Sequence, residues 1–199
     1  ESLFVVLASP VGSYFKGGPA PESIRLSENY TRAAVGGTGA VKCGGNYAAS
    51  LRAQAEAIEH GCDQVVFLDA VERRYVEELG GMNIFFAFED GSLSTPPLGT
   101  ILPGITRDSI ITLAKEAGAV VREEPYTIDQ WRADAASGRL KEAFACGTAA
   151  VISPIGTVRS ASGDFTINGG TAGPVAMGLR KKLIDIQYGR AADSHNWIR

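Results

Sequence analysis

A single domain that mixes β-strands with α-helices, an α/β (α+β) fold class, is what the sequence predicts, and three observations carry it. Short runs rich in β-branched and aromatic residues, such as 64–68 and 84–88, are bounded by turn residues. Between them lie longer windows, 46–60, 106–118 and 174–188, whose apolar residues recur at helical spacing. The composition, 45% hydrophobic and 21% charged over 199 residues, sits near globular averages and allows a sizeable core.

The elements follow in order. Residues 2–8 (Ser-Leu-Phe-Val-Val-Leu-Ala) form a continuous apolar run typical of a strand buried on both faces, broken by Ser9-Pro10-Val11-Gly12. A chain that opens in mid-strand without Met is expected to be a piece of a longer polypeptide, and no signal peptide is seen. Residues 16–21 read as a loop and 23–27 as a short strand. The cluster Gly36-Gly-Thr-Gly39 lacks the Gly-Lys-Ser/Thr ending of a nucleotide P-loop and the spacing of a dinucleotide fingerprint, so it is not read as a nucleotide site.

The helix over 46–60 is expected to bury Ala48, Leu51, Ala55 and Ile58, and Gly61 stops it. Residues 64–68 and 75–77 read as a hairpin around the turn 70–74, followed by a polar, flexible segment, 78–83, and a strand, 84–88. Gly91-Ser92 turns the chain and Pro96-Pro97 and Pro103-Gly104 punctuate a loop. A helix then opens with Thr106 as N-cap, Asp108 in its first turn, and Ile110, Leu113, Ala114 and Ala117 inward. Free amides at that helix start make Gly104-Ile-Thr106 a sensible phosphate holder.

Residues 119–122 read as a strand. Thr127 and Gln130 have capping-box spacing for a helix over 128–136, with Trp131 in the core. Residues 140–145 read as a helical turn or two, and a small-residue turn at Cys146-Gly-Thr-Ala149 leads to a buried strand whose hydroxyl and amides face a cleft. An exposed hairpin joins 157–160 to 164–167. The last helix, about 174–188, carries Val175, Leu179, Leu183 and Ile186, and the tail is polar apart from Trp197.

Charge and cysteine usage exclude several classes of function. With 22 acids against 19 bases, a net charge of −3 and no basic run, nucleic acid is not an expected partner. No apolar run is long enough to cross a bilayer, so neither a membrane span nor a membrane partner is expected. Three cysteines, Cys43, Cys62 and Cys146, make an odd count without paired spacing, which points away from a disulfide framework and towards a reducing cytoplasm. Zinc spacing is missing and His60 and His195 lie far apart, so no metal is expected.

The stretch that organises the chemistry is Ala40-Val-Lys-Cys-Gly-Gly-Asn-Tyr47. A lysine whose ammonium is partly desolvated by packing has a freed lone pair for Schiff-base chemistry. Gly44 and Gly45 leave room beside Lys42 for backbone and a planar ligand, and Tyr47 offers a phenol. Three further motifs fall in order behind it: Glu78-Leu-Gly-Gly-Met-Asn83, Leu102-Pro-Gly-Ile-Thr-Arg107 and Gly147-Thr-Ala149. With the closing Asp185-Ile-Gln-Tyr-Gly189, they resemble the branched-chain aminotransferases, pyridoxal-phosphate (PLP) enzymes of fold-type IV, over nearly the whole chain.

The resemblance implies the larger, C-terminal PLP-binding domain of such an enzyme over residues 1–199, with a strongly curved mixed sheet and packed helices, working as a homodimer. It implies transamination between leucine, isoleucine or valine and 2-oxoglutarate, giving 2-oxo acids and glutamate. By motif position, Lys42 would be the catalytic residue and hold PLP as a Schiff base, and Tyr47 would donate to its phenolic oxygen. Glu78 would sit at the pyridine nitrogen, and Gly81 would stand beside the ring where some relatives have threonine. Ile105, Thr106 and Thr148 would bind the phosphate, while the Thr148 and Ala149 amides would meet the substrate carboxylate.

Two departures limit the carry-over. Ala150 and Ser153 stand where some relatives have a redox Cys-x-x-Cys, so thiol switching is not expected. The smaller N-terminal domain of the family, which supplies an arginine to the phosphate and much of the side-chain pocket, is missing from these residues, so alone they are expected to be inactive or poorly active. Arg32 is either a helper behind the site or an ordinary salt bridge. A D-amino-acid aminotransferase or aminodeoxychorismate lyase of the same fold, or an inert PLP-binding domain, are the alternatives.

Overall fold

Runs of residues that hide both faces pair into one mixed sheet in the computed structural model, which describes residues 2–10 and 19–198. Its nine strands are β1 (Glu22–Ser27), β2 (Gln64–Leu68), β3 (Val76–Leu79), β4 (Asn83–Phe88), β5 (Leu93–Thr95), β6 (Val121–Glu123), β7 (Leu140–Gly147), β8 (Val151–Arg159) and β9 (Phe165–Thr166). Four helices complete it: α1 (Gly44–Glu59), α2 (Ile105–Glu116), α3 (Ile128–Ser137) and α4 (Pro174–Gln187). The sheet order is β3-β2-β1-β8-β7-β4-β5-β6, with β9 on β8. β1 runs parallel to β2 and β8, and β5 to β6, while the remaining pairs are antiparallel.

Strand alternation divides the core between the two faces. Phe86 joins Ile24, Val66 and Trp131 on one face, under α3, whereas its neighbour Phe85 joins Phe144, Leu113 and Leu183 on the other, under α2 and α4. Trp131 is fully buried, edge-on to Phe86 at 4.9 Å between ring centroids, as its placement in the core required. Each such side chain contributes roughly 1.5–3 kcal/mol through burial. Thr127 and Gln130 form the capping box that starts α3: the Thr127 hydroxyl accepts from the Gln130 amide at 3.1 Å.

Six sequence expectations are corrected: Ala117, expected on the inward stripe of α2, is exposed because the helix ends at Glu116, and five more follow. Residues 2–10 take no regular structure, and Leu3, Phe4 and Leu7 are about nine-tenths exposed, because no strand among the described residues pairs with them. The break at Val11 and Gly12 and the first half of the 16–21 loop lie outside the described residues.

On α1, Ala48, Leu51, Ala55 and Ile58 are exposed, and the helix instead buries Asn46, Ala53 and Ala57. Small residues let this second stripe sit close on Cys62, Val65 and Phe67. Residues 140–145 are not helical: they form β7, held between β4 and β8, where pairing on both edges outweighs the helix preference of Leu, Lys, Glu and Ala.

Glu78 is not in a flexible loop but on β3, opposite Phe67, with 1% of its surface exposed. Finally, α2 is capped by Gly104 rather than Thr106, and its first helical residue is Ile105. β5 was not foreseen, since Leu93-Ser-Thr95 is too short to show a period.

Candidate active site

Glu78 is the electrostatic centre of the site. A carboxylate with 1% exposure is costly unless it is bonded and paired. Its Oε1 accepts from Asn83 Nδ2 at 3.0 Å and from the Leu102 amide at 2.9 Å, and its Oε2 lies 2.7 Å from Arg32 Nε. That last contact is an ion pair without hydrogen-bond alignment, so Oε2 keeps an unfilled acceptor position. Burial pushes the Glu78 carboxyl up to about 7 against the opposing pull of Arg32 and the Leu102 amide, with Glu77 adding to the rise and Lys42 subtracting from it.

Three chain segments are pinned around this carboxyl. Asn83, on the first residue of β4, also donates to Leu102 O at 2.9 Å, which ties the approach to α2 onto the sheet. Gly104 belongs at that junction because a β-carbon there would meet Asn83 Oδ1 at 2.2 Å. Asn46, in the first turn of α1, donates to Thr38 O and Val41 O at 2.8 Å each, and so fixes the loop that bears Lys42.

Lys42, Glu78, Gly81, Ile105, Thr106 and Thr148 line one cavity of about 290 Å³. A second cavity of about 280 Å³ shares Lys42, Gly81 and Thr148 with it and adds Gln64, Met82 and Ala149. Tyr47 lies outside both linings, but its ring borders the first: Lys42 Nζ sits 5.4 Å from the ring centroid, and a β-carbon on Gly81 would come within 3.3 Å of Tyr47 Cε1. All the site residues expected from the sequence except Tyr47 thus line one or other of two cavities that share Lys42, and Tyr47 stands beside Lys42 and Gly81.

The surroundings of Lys42 differ from expectation. It is exposed, on a loop that turns at the surface, so the packing expected to desolvate its ammonium is not present among the described residues. At the opposite wall, α2 points its amino terminus into the cavity, and the first amides of a helix have no intrahelical acceptor. Cys146 lines the same cavity, but burial pushes its thiol well above the usual range, which leaves it unreactive. The half-buried Cys43 precedes α1, and a hydrogen bond with Thr38 and the Asn46 amide hold its thiol below the usual value.

The donor set suits a flat, anionic heterocycle. It offers an amine, an acceptor with a free lone pair opposite, a glycine that leaves space beside a phenol ring, and a helix start for an anion. Asn83 and the Leu102 amide were given no role in the sequence reading. The readable signal for Asn83 was a polar residue heading the otherwise apolar run 84–88.

Comparison with known proteins shows the family of the chain. The family model for class IV amino-transferases matches residues 19–158. The branched-chain-amino-acid aminotransferase of Mycolicibacterium smegmatis is 55% identical over 202 residues, covering 100% of this chain and 55% of that protein. The crystal structure of the Escherichia coli branched-chain amino acid aminotransferase superposes with a TM-score of 0.80 at 34% identity, covering 95% of this chain and 59% of the other. A crystal structure of the T.th. branched-chain amino acid aminotransferase with pyridoxamine 5'-phosphate superposes with a TM-score of 0.78 at 30% identity, covering 95% of this chain and 58% of the other. The chain thus spans about half the length of the relatives it matches, and its curled mixed sheet with four helices is the fold class that the sequence predicted.

Proposed function

The chain belongs to the class IV amino-transferase family, and from that premise we propose that it is the PLP-binding part of an enzyme moving the amino group of leucine, isoleucine or valine to 2-oxoglutarate. The observation that carries this reading is that Lys42, Glu78 and the start of α2 open onto one cavity while Glu78 Oε2 keeps a free acceptor position. Relatives named for that activity, and a related structure holding pyridoxamine 5'-phosphate, support it.

Bound PLP supplies an electron sink for the pair left when the substrate Cα loses its proton. Lys42 would hold the cofactor through its amine, and its Nζ is the base that would take the substrate Cα proton. The Glu78 carboxyl would accept from the ring nitrogen and, as an anion, would keep the proton there. Tyr47 would donate to the phenolic oxygen, and Gly81 would leave space for the ring. The Ile105 and Thr106 amides with the Thr148 hydroxyl would hold the phosphate. The Thr148 and Ala149 amides turn the substrate carboxylate so that its Cα–H faces Lys42.

A substrate panel tests the reading. In the whole enzyme that contains this part, with PLP and 2-oxoglutarate, L-leucine, L-isoleucine and L-valine should each yield glutamate, and turnover of D-alanine alone would overturn the reading.

We further place the protein in the cytoplasm as a homodimer. The three unpaired cysteines support the first point. No helix among the described residues is long and apolar enough to cross a membrane. The second point is supported by the uncovered stripe Leu51 and Ile58 on α1, which are 68% and 64% exposed and lie on the face of Tyr47. Arg52 flanks its amino-terminal half and Glu59 its carboxyl end, so antiparallel pairing of two copies sets opposite charges against each other. Leu51→Glu is expected to convert the dimer to monomer in size-exclusion chromatography with light scattering, and an unchanged mass would remove this face from the interface.

A further inference from the structure

We propose that Arg32 is a positioning residue, which draws Glu78 towards its charged form, fixes its carboxyl at the wall of the cavity and locks the Lys42 loop to the loop leading into α2. The inference rests on the reading of Glu78 as the partner of the cofactor's ring nitrogen, and it adds a residue that touches neither cofactor nor substrate.

Arg32 is 7% exposed, so its charge must be met within the protein. Three of its nitrogens have separate partners: Nε faces Glu78 Oε2 at 2.7 Å, Nη1 donates to Thr100 O at 3.1 Å, and Nη2 donates to Gly39 O at 3.3 Å. Thr100 belongs to the approach to α2, and Gly39 belongs to the loop that carries Lys42. These two backbones touch so closely that a β-carbon on Gly39 would fall 1.8 Å from Thr100 O. The planar guanidinium thus lies across the seam where all three parts of the site meet. A lysine, with a single point of charge on a flexible stem, cannot span the three partners at once.

The charge balance points the same way. Glu78 is the carboxylate that pairs with Arg32 among the described residues, and the adjacent Glu77 accepts at Oε1 from the Thr100 hydroxyl. The titratable and charged groups that face Glu78 are Arg32, Lys42 on the preceding loop, Glu77 on β3 and Cys146 at the end of β7. Of these, Arg32 exerts the strongest pull towards ionisation, against the burial that favours the neutral acid. A neutral Glu78 donates where the site needs an acceptor, so losing Arg32 would disable the carboxyl without touching it.

The test follows the Glu78 carboxyl by 13C NMR in cofactor-free protein labelled at glutamate, with Glu78→Gln identifying its resonance. Arg32→Gln should raise the Glu78 midpoint by about one pH unit or more, the usual size of a lost close ion pair, and Arg32→Lys should raise it by less. A wild-type midpoint in either folded variant, or equal rises in both, overturns the proposal. Should Arg32→Gln fail to fold, Arg32→Lys decides, with a small rise expected and a wild-type value contradicting it. The underlying reading fails separately: wild-type PLP affinity and transamination in Glu78→Gln would remove Glu78 from the cofactor's site, whatever the Arg32 variants do.

Discussion

Lys42→Ala is expected to lower transamination by about 10²- to 10⁴-fold at the least, the share that a positioned base supplies, with visible absorbance from bound PLP lost as well. The amine has two duties, anchoring the cofactor and moving the Cα proton, and alanine can do neither. PLP should still bind, more weakly, because the Glu78 carboxyl and the start of α2 line the cavity independently of Lys42. The loop itself should survive, since Asn46 ties it through Thr38 O and Val41 O without using the lysine side chain. Thermal unfolding near the wild-type temperature, combined with loss of colour, would separate this chemical loss from misfolding. Retained colour and turnover would move the chemistry to another residue.

Glu78→Gln should cost roughly 10²- to 10³-fold in turnover, the scale seen when one electrostatic contact to developing charge is removed. The neutral amide keeps the shape of the side chain but cannot hold a proton on the ring nitrogen. The same substitution has a signature in the cofactor-free protein. Burial lifts the folded carboxyl from 4.5 to about 7, so between those values the folded state keeps a proton that the unfolded chain releases. The sign follows: stability is full below about pH 4.5 and falls as pH rises towards 7, on the order of 3 kcal/mol from this group.

Glu77 and Glu22 are also raised by burial and add in the same direction. Denaturant titrations at pH 5 and pH 7 should show the wild type losing stability over that interval and Glu78→Gln losing clearly less. A slope equal to that of wild type would mean that Glu78 titrates normally in the folded protein.

Much of the fold was legible where local chemistry decides local structure. The Thr127 and Gln130 box starts α3, and Leu179, Leu183 and Ile186, though not the exposed Val175 in the first turn, mark the buried side of α4. The errors fell where distant partners decide. Residues 140–145 contain good helix formers, yet they lie between β4 and β8, and nothing within the segment announces those neighbours. On α1, two apolar stripes run side by side, and the smaller one faces the sheet.

The site was legible as motifs rather than as geometry. Lys42, Glu78, Thr106 and Thr148 could be named from sequence, but their convergence depends on β3 pairing with β2 and β4 with β7. Glu78 looked like a loop residue beside two glycines because a buried charge contradicts its own local context. The pairing with Arg32, 46 positions earlier in the sequence, and the hydrogen bonds from Asn83 and the Leu102 amide explain how it is tolerated.

The most direct measurement is chemical trapping of the cofactor. Borohydride reduction of the PLP-loaded protein, followed by peptide mass spectrometry, should place the phosphopyridoxyl group on Lys42, in the peptide that contains Cys-Gly-Gly-Asn-Tyr47. Label on another lysine, or none under conditions where the protein binds PLP, would contradict the account.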